Sequence, residues 1–481
     1  MAIYIYGLWG RMPDIDDAWI GIDAYTLAKD GYVHTDLMHG INQQGELFVV
    51  HHKLWNLNGA LFIRIFGFSL YTLKSVSLVY FLLFLILFGF YTLKWKKLFN
   101  LEGFLFSLIL ILSFPWIFKF SFLYRPEIMM MTLGFAAFIL LEKYTETERN
   151  KTLLVFISGI FFGLTMVAHL NGLILAAAAF LLLLYTEKKF IPLVVFSVGV
   201  LLAFTVYFYD YTDPSYFTLW QQQFFNAPYL DSLEYGPSWL KPVVNLLREH
   251  MRYFHNLQII VFSVFLLVTL LIGLRYLFRK HGFITSFALL VALMTGILAM
   301  HKSRQYLLLN FPYLVILITL TTKALMEGKI TRFKWGGQIS AIRVLFSLVI
   351  IYVTVSTYFN IKLSLKKFTP ETNRMMAEKY ADGSEAEMKI VGPMTFIFNE
   401  VEHFKRIQGD LCYVQLQKMD STVFGEGFLD KAETFHTDLI MVEPKYQGLL
   451  GIDHMVTGDT VGAYWVVDDT EQAKVFKRLD K

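Results

Sequence analysis

One cysteine, Cys412, in a chain of 481 residues leaves no intrachain disulfide and no metal site built on several cysteines. Charge is scarce as well: Asp, Glu, Lys and Arg together make up 17% of the residues, against about 25% in an ordinary soluble domain. The formal net charge is only +4, which gives no basis for nucleic-acid binding, so the cations are read for membrane orientation instead. No cleavable signal peptide is visible. The first apolar stretch, Ala2 to Trp9, is short, with no basic region before it and no small-residue cleavage site after it. Internal repeats and low-complexity segments are also missing, which disfavours transporters assembled from repeated halves.

Apolar residues are abundant. They form 56% of the chain, aromatics form 17%, and the mean hydropathy is +0.49. Single cores stop growing near ~250–300 residues, so this much apolar surface needs lipid to cover it. A bilayer-crossing helix takes about 20 mostly apolar residues. Segments of that character run Leu70–Leu93, Leu101–Phe118, Ile128–Leu141, Leu153–Ala168, Leu173–Tyr185, Phe190–Tyr209, Leu257–Phe278, Phe283–Met300, Tyr306–Leu325 and Leu345–Ile361. The Ile128 and Leu173 segments are short for a span.

Basic residues in short loops stay on the cytoplasmic side. Lys94, Lys96 and Lys97, then Lys143, Arg149 and Lys151, then Lys188 and Lys189, then Arg279 and Lys280, then Lys329, Arg332, Lys334 and Arg343 all fall on one side of the alternation. The other side, external by this rule, receives residues 14–69, the turns around Arg125, Asn171 and Arg304, the stretch 211–256, and everything after Lys362. An external stretch starting at Asp14 calls for a full span before it, yet only Met1–Met12 precedes it, so the true start is expected upstream. Beyond Thr369 the composition becomes charged. Short apolar runs at Met388–Val391, Leu439–Val442 and Tyr464–Val467 read as buried strands, and Pro370–Tyr380 and Glu471–Leu479 as helix-like stretches. The fold class is thus mainly α: a polytopic transmembrane helical bundle of about 10–11 spans. Juxtamembrane helices lie in the first external loop (14–69), and a small external α/β domain (362–481) follows the membrane domain (1–361).

Candidate chemistry gathers at the external turns. Asp14, Asp16 and Asp17 stand within four residues, followed by a helical segment that Gly31 can end. Asp16 or Asp17 can cap that helix, but capping needs one carboxylate; crowded acids raise a pKa or bind a cation, which suits a base that deprotonates an acceptor. Arg125-Pro126-Glu127 sits at the mouth of a helix, either as an interfacial anchor or as a guanidinium fork for a phosphate beside an acid that holds an acceptor or a metal. His169 with Asn171-Gly172, and Lys302 with Arg304 and Tyr306, add cations in later turns. His51, His52 and Lys53 are weaker candidates for phosphate or metal contacts.

With these turns in this order and on this side, residues 12–325 resemble the GT-C superfamily of polyprenol-linked glycosyltransferases, in particular the branch of protein O-mannosyltransferases and lipid A aminoarabinose transferases. Asp16-Asp17 stands where that family carries an acidic pair, usually Asp-Glu, opening a juxtamembrane helix; Arg125-Pro126-Glu127 is similar to its second-loop acidic site, His169-Leu170-Asn171-Gly172 to a lysine-glycine turn, and Arg304-Gln305-Tyr306 to its basic-aromatic turn. His51, His52 and Lys53 replace its usual prolines. The resemblance implies an inverting enzyme that takes a sugar from a polyprenyl-phosphate donor to a lipid, glycan or protein acceptor outside a cell membrane, the inner membrane of a bacterium being the expected setting. It implies phosphate contacts from Arg125, His169, Lys302, Arg304 and Tyr306, and Asp16 as base. Asp17 and Glu127 would orient the acceptor or, with Asp16, bind a divalent cation; no other cofactor is implied. Two other classes compete. A transporter or flippase would place its charges near mid-membrane, and a scaffold would need far fewer spans.

Overall fold

The computed structural model describes residues 4, 6–7, 11–187, 189–228, 238–299, 303–330, 337–366, 371–381 and 383–479. Two helices occupy the first loop, α1 (Ile15–Asp30) and α2 (Lys53–Phe66). Asp14 is the N-cap of α1 in extended conformation, and its amide donates to Asp17 Oδ2 at 2.8 Å; Gly31, at φ +83°, ends the helix in the left-handed conformation. Helix α2 crosses α1 at Gly59. A Cβ there would lie 1.8 Å from Tyr124 Oη and 2.8 Å from Ala24 Cβ, so only glycine allows this approach.

The membrane bundle follows. Its helices are α3 (Leu70–Gly89, continued by a π-helical turn to Trp95), α4 (Leu101–Ser113), α5 (Pro115–Phe120), α6 (Glu127–Glu146), α7 (Lys151–Ala168), α8 (Leu173–Thr186), α9 (Ile191–Phe204), α10 (Ser215–Phe225), α11 (Lys241–Leu247), α12 (Leu257–Leu298), α13 (Leu307–Met326) and α14 (Gly337–Ser364). Among the described residues, 7 helices are long and apolar enough to cross a membrane, and two shorter apolar ones, α4 and the helix ending at Thr186, accompany them. Within the 42 residues of α12, His281 has non-helical angles (φ −135°, ψ 40°), so this rod is two limbs meeting at a kink. Each expected segment therefore has its helix. The expected Leu101–Phe118 span is interrupted: Phe114 turns extended ahead of Pro115, and the chain restarts as the six-residue α5. The expected turn cations Lys188, Lys302, Arg332 and Lys334, and Pro370, lie outside the described residues.

Helix α13 runs through the middle of the bundle, buried along nearly its whole length. Helices α7 and α9 touch backbone to backbone. Cβ atoms at Gly159 and Gly163 would sit 2.3 Å from the Phe196 carbonyl oxygen and 2.5 Å from that of Val200, and one at Gly199 would lie 2.4 Å from that of Phe156. Small residues four apart supply the close packing that association in lipid requires.

The C-terminal region begins with α15 (Glu371–Ala381) and builds one mixed sheet from β1 (Lys389–Gly392), β2 (Arg406–Gly409), β3 (Leu439–Val442), β4 (Thr460–Val461), β5 (Tyr464–Asp469) and β6 (Lys474–Arg478), in the order β2-β1-β3-β6-β5-β4. Strand β1 pairs parallel with β2 and β3, and the remaining pairs are antiparallel. Helices α16 (Asp410–Met419) and α17 (Glu426–Thr434) join β2 to β3, and α18 (Pro444–Leu450) follows β3. The helix expected over Glu471–Leu479 is instead strand β6. Lys474 is inside, its ammonium donating to the carbonyls of Ile452 and Asp453 at 3.1 Å each, and that buried cation disguises the strand's alternation.

This region docks on the first loop. Gln408 Nε2 and Cys412 Sγ both donate to the His39 carbonyl, at 2.8 and 3.3 Å, and the His39 ring meets Phe435 edge-on at 5.0 Å. Tyr25 of α1 donates to Glu402 at 3.0 Å, and Phe68 stacks on Phe398. The sheet and the first loop therefore share one side of the bundle.

Candidate functional site

Segments far apart in sequence close a cavity of about 290 Å3 where α1 meets the bundle. Its wall includes Asp16, Trp19 and Asp23 of α1; Phe48, His51 and His52 ahead of α2; Arg125 between α5 and α6; the His169–Asn171 turn between α7 and α8; Phe224 of α10; and Tyr306 ahead of α13. Six of the residues singled out in the sequence meet here: Asp16, His51, His52, Arg125, His169 and Tyr306. Asn171 of the His169 turn joins them, Asp17, Lys53, Glu127 and Arg304 do not reach the wall, and Lys302 lies outside the described residues.

Arg125 is the hub. Its Nη1 donates to Asp16 Oδ2 at 2.5 Å, Nη2 to Glu127 Oε1 at 2.8 Å, and Nε to both Glu127 oxygens at 3.1 and 3.2 Å. Burial works against a charged guanidinium here, but Glu127 and Asp16 outweigh it and hold Arg125 above its ordinary pKa. The Glu127 side chain is 0% exposed and lies behind Arg125, whereas that of Asp16 keeps 27% exposure. Asp17 turns away. Its Oδ1 accepts from the Tyr124 amide at 2.6 Å and Oδ2 from the Asp14 amide, so it fastens the start of α1 to the turn ahead of Arg125. Burial pushes Asp17 up to about 6, against the pull of Lys74. Among the described residues no group of three or more His, Cys, Asp or Glu is placed to hold a metal ion. The expected set of Asp16, Asp17 and Glu127 fails that test because the Arg125 fork stands between Asp16 and Glu127 and both Asp17 oxygens serve the backbone.

Burial favours the neutral form of the three wall histidines. His52 and His169 stack at 4.7 Å, and burial forces both down, His169 to about 3 with Arg125 adding to the effect and His52 well below its usual value. His169 Nδ1 accepts from the Asn171 amide at 3.0 Å, so its one proton is on Nε2, a neutral donor. The cationic role expected of His169 gives way to that. His51 spans Asn56 (Nδ1, 3.3 Å) and Asp210 (Nε2, 3.4 Å), and burial with neighbouring Lys53 brings it down to about 4. Lys53 is fully buried away from the cavity, donating to Asp210 Oδ2 at 2.5 Å among the rings of Tyr207, Tyr209 and Tyr211; burial brings it down to about 8.

Arg304 is not on the cavity wall; its guanidinium lies 5.6 Å from the Trp116 ring centroid and bonds His255. Trp116 also lines a second cavity of about 250 Å3, together with Lys119, Lys362 and Lys366. Several wall residues are not singled out by the sequence, Asp23 and Phe224 among them. Asp23 follows Asp16 by seven residues, which places it on the same helical face two turns on, a legible spacing. Phe224 gives no sequence signal because α10 is brought to the cavity by tertiary packing alone.

A first loop with two helices, a helical bundle, and a C-terminal domain seated on that loop make up the GT-C architecture, and the chain has this fold. No family model and no curated protein sequence matches the chain. Solved structures do. ArnT from Cupriavidus metallidurans in the apo state is similar over 99% of this chain and 95% of its own, with a TM-score of 0.61 and 11% identity. The same protein bound to undecaprenyl phosphate gives 99%, 96%, 0.59 and 11%. The apo oligosaccharyltransferase of Archaeoglobus fulgidus covers 93% of this chain and 69% of its own at a TM-score of 0.56 and 11% identity.

Proposed function

We propose that the chain is an inverting glycosyltransferase that moves a sugar from a polyprenyl-phosphate donor to a lipid, glycan or protein acceptor at the external face of a cell membrane, with the C-terminal domain on that side. The observation that carries this reading is the Asp16–Arg125 pair, joined across 109 residues of sequence on the wall of an aromatic-lined cavity. The fold supports it: ArnT has been solved with undecaprenyl phosphate, and the archaeal oligosaccharyltransferase AglB with an inhibitory peptide and a dolichol-phosphate.

The pair suits an exchange of partners. An anionic donor phosphate competes for the guanidinium, Glu127 keeps the fork oriented, and Asp16 is released as a free carboxylate. Asp16 then takes the acceptor's proton while the acceptor oxygen or nitrogen attacks the anomeric carbon from the face opposite the phosphate. The bond from that carbon to the phosphate oxygen breaks, the configuration inverts, and polyprenyl phosphate leaves with its charge stabilised by Arg125 and the His169 Nε2–H. Tyr306 closes the wall beside His169, with ring centroids 6.1 Å apart. Arg304, off the wall beside Trp116, belongs with the lipid's approach to the site.

Asp16→Asn tests the reading. Transfer should fall by about 10²–10⁴-fold, the usual contribution of a positioned base, while undecaprenyl phosphate binding stays near that of the parent. Full transfer by the variant removes Asp16 as base. A transporter is the second reading, and mass spectrometry of envelope glycans with and without the gene separates the two: a transferase loss removes one specific sugar linkage.

A further inference from the structure

The transfer step leaves one cavity carboxyl without work. Asp23 is 2% exposed and sits about 10.5 Å beyond Asp16 along the α1 axis. Its Oδ2 receives the Asn56 amide at 3.4 Å, but among the described residues its Oδ1 has no partner, and neither does the Asn56 Oδ1. Buried polar atoms are rarely left unmet, and an unmet carboxyl oxygen on a cavity wall, with its Asn56 partner also unmet behind it, points to a ligand that meets it. Burial holds Asp23 well above the usual carboxylate range, which favours the protonated form, able both to donate and to accept. The same cavity is walled by the rings of Trp19, Phe48, Tyr207 and Phe224, flat apolar surfaces that suit the C–H faces of a pyranose. Its volume of about 290 Å3 lies at the low end of the ~300–1,000 Å3 common for small-molecule sites, which fits one sugar ring and no oligosaccharide.

We propose, on the transferase reading above, that Asp23 is the residue that recognises the transferred sugar, its carboxyl pairing with ring hydroxyls or an amino group of a monosaccharide whose phosphate end lies toward Arg125. Asn56 is a positioning residue: its amide fixes the Asp23 carboxyl, and His51 in turn receives the second Asn56 N–H.

The experiment uses full-length protein in detergent and native mass spectrometry with bare undecaprenyl phosphate and with undecaprenyl phosphate carrying glucose, mannose, N-acetylglucosamine or 4-amino-4-deoxyarabinose. The parent should bind at least one sugar-bearing lipid about tenfold more tightly than the bare lipid. Asp23→Leu should bring that lipid down to the bare-lipid affinity. Asp23→Asn, a neutral isostere that donates and accepts, should keep the preference. Unchanged binding of bare lipid shows that each variant is folded. Retention of the preference in Asp23→Leu overturns the proposal, as does its loss in Asp23→Asn, which keeps the side-chain shape. Failure of the parent to bind any of these lipids overturns the transferase reading itself, a separate result.

Discussion

Removing the Arg125 guanidinium tests the centre of this structure in energetic terms. Arg125→Met keeps length and apolar volume but strands the Glu127 carboxylate, whose side chain is 0% exposed and loses every one of its Arg125 contacts. Stripping a buried charge of its partner costs about 3–5 kcal/mol. Asp16 adds little to that, because its side chain is 27% exposed and water can replace the lost contact. The double variant Arg125→Met/Glu127→Gln leaves a neutral amide with unmet hydrogen bonds, a cost of about 1–3 kcal/mol. The double variant should therefore be about 2 kcal/mol more stable than the single one, although it carries more changes. Unfolding in mixed detergent–SDS micelles, followed by tryptophan fluorescence, reads the order. Equal stability of single and double variants, or a single variant as stable as the parent, refutes the account of Arg125 as the neutraliser of a buried acid.

Three further outcomes follow from the same coordinates. His51, fully buried and held down to about 4, stays neutral in the fold while the unfolded chain takes up protons below about 6.5, so stability is lost as pH falls from ~6.5 toward 4 at about 1.4 kcal/mol per pH unit; His51→Gln should remove that increment from the pH 7 to pH 5 change in SDS midpoint. Gly163→Ala sets a Cβ 2.5 Å from the Val200 carbonyl oxygen and should destabilise the α7–α9 contact by about 1–3 kcal/mol, read by the same titration. Gln408→Ala breaks the bond to the His39 carbonyl, and limited proteolysis should then cut residues 39–45 faster than in the parent while the α7–α9 contact is unaffected.

Membrane spans were legible because the signal that defines them is composition over ~20 residues, which neighbours do not alter. The interruption at Phe114-Pro115 and the kink at His281 are smaller events inside otherwise apolar runs, and hydropathy averages over them. In the tail, β1, β3 and β5 were readable as apolar runs; β2 and β6 were not, since Arg406, Lys474 and Lys477 supply charges that tertiary bonds accommodate. At the site, the residue types and turns were readable but the facing directions were not. Asp16 and Asp17 are adjacent letters, yet one faces a cavity and the other two backbone amides, because consecutive residues on a helix diverge by about 100°. The charge of a histidine was equally hidden: His169 looks like a cation in sequence, and burial beside Arg125 makes it a neutral donor.

The same helix explains why a docked C-terminal domain accompanies this site. On the proposed roles, Asp16 and Asp23 act from one rigid face only if α1 is held at both ends. Its first turn is fixed to the bundle by Asp17 on the Tyr124 amide and by Lys119 on Asp14 at 2.6 Å. Its later turns have Tyr25 on Glu402, and the loop that follows buries Leu37, Met38 and Ile41 completely, with the Leu37 carbonyl against Gly409 and the His39 carbonyl capped by Gln408 and Cys412. Exposing that apolar turn to water would favour its rearrangement, and a shift of α1 of even 1 Å would part Asp16 from the Arg125 fork. On the proposed reading, the sheet domain serves the site without a catalytic residue of its own: its contacts hold the first loop against the bundle, where Asp16 from the start of the chain meets Arg125.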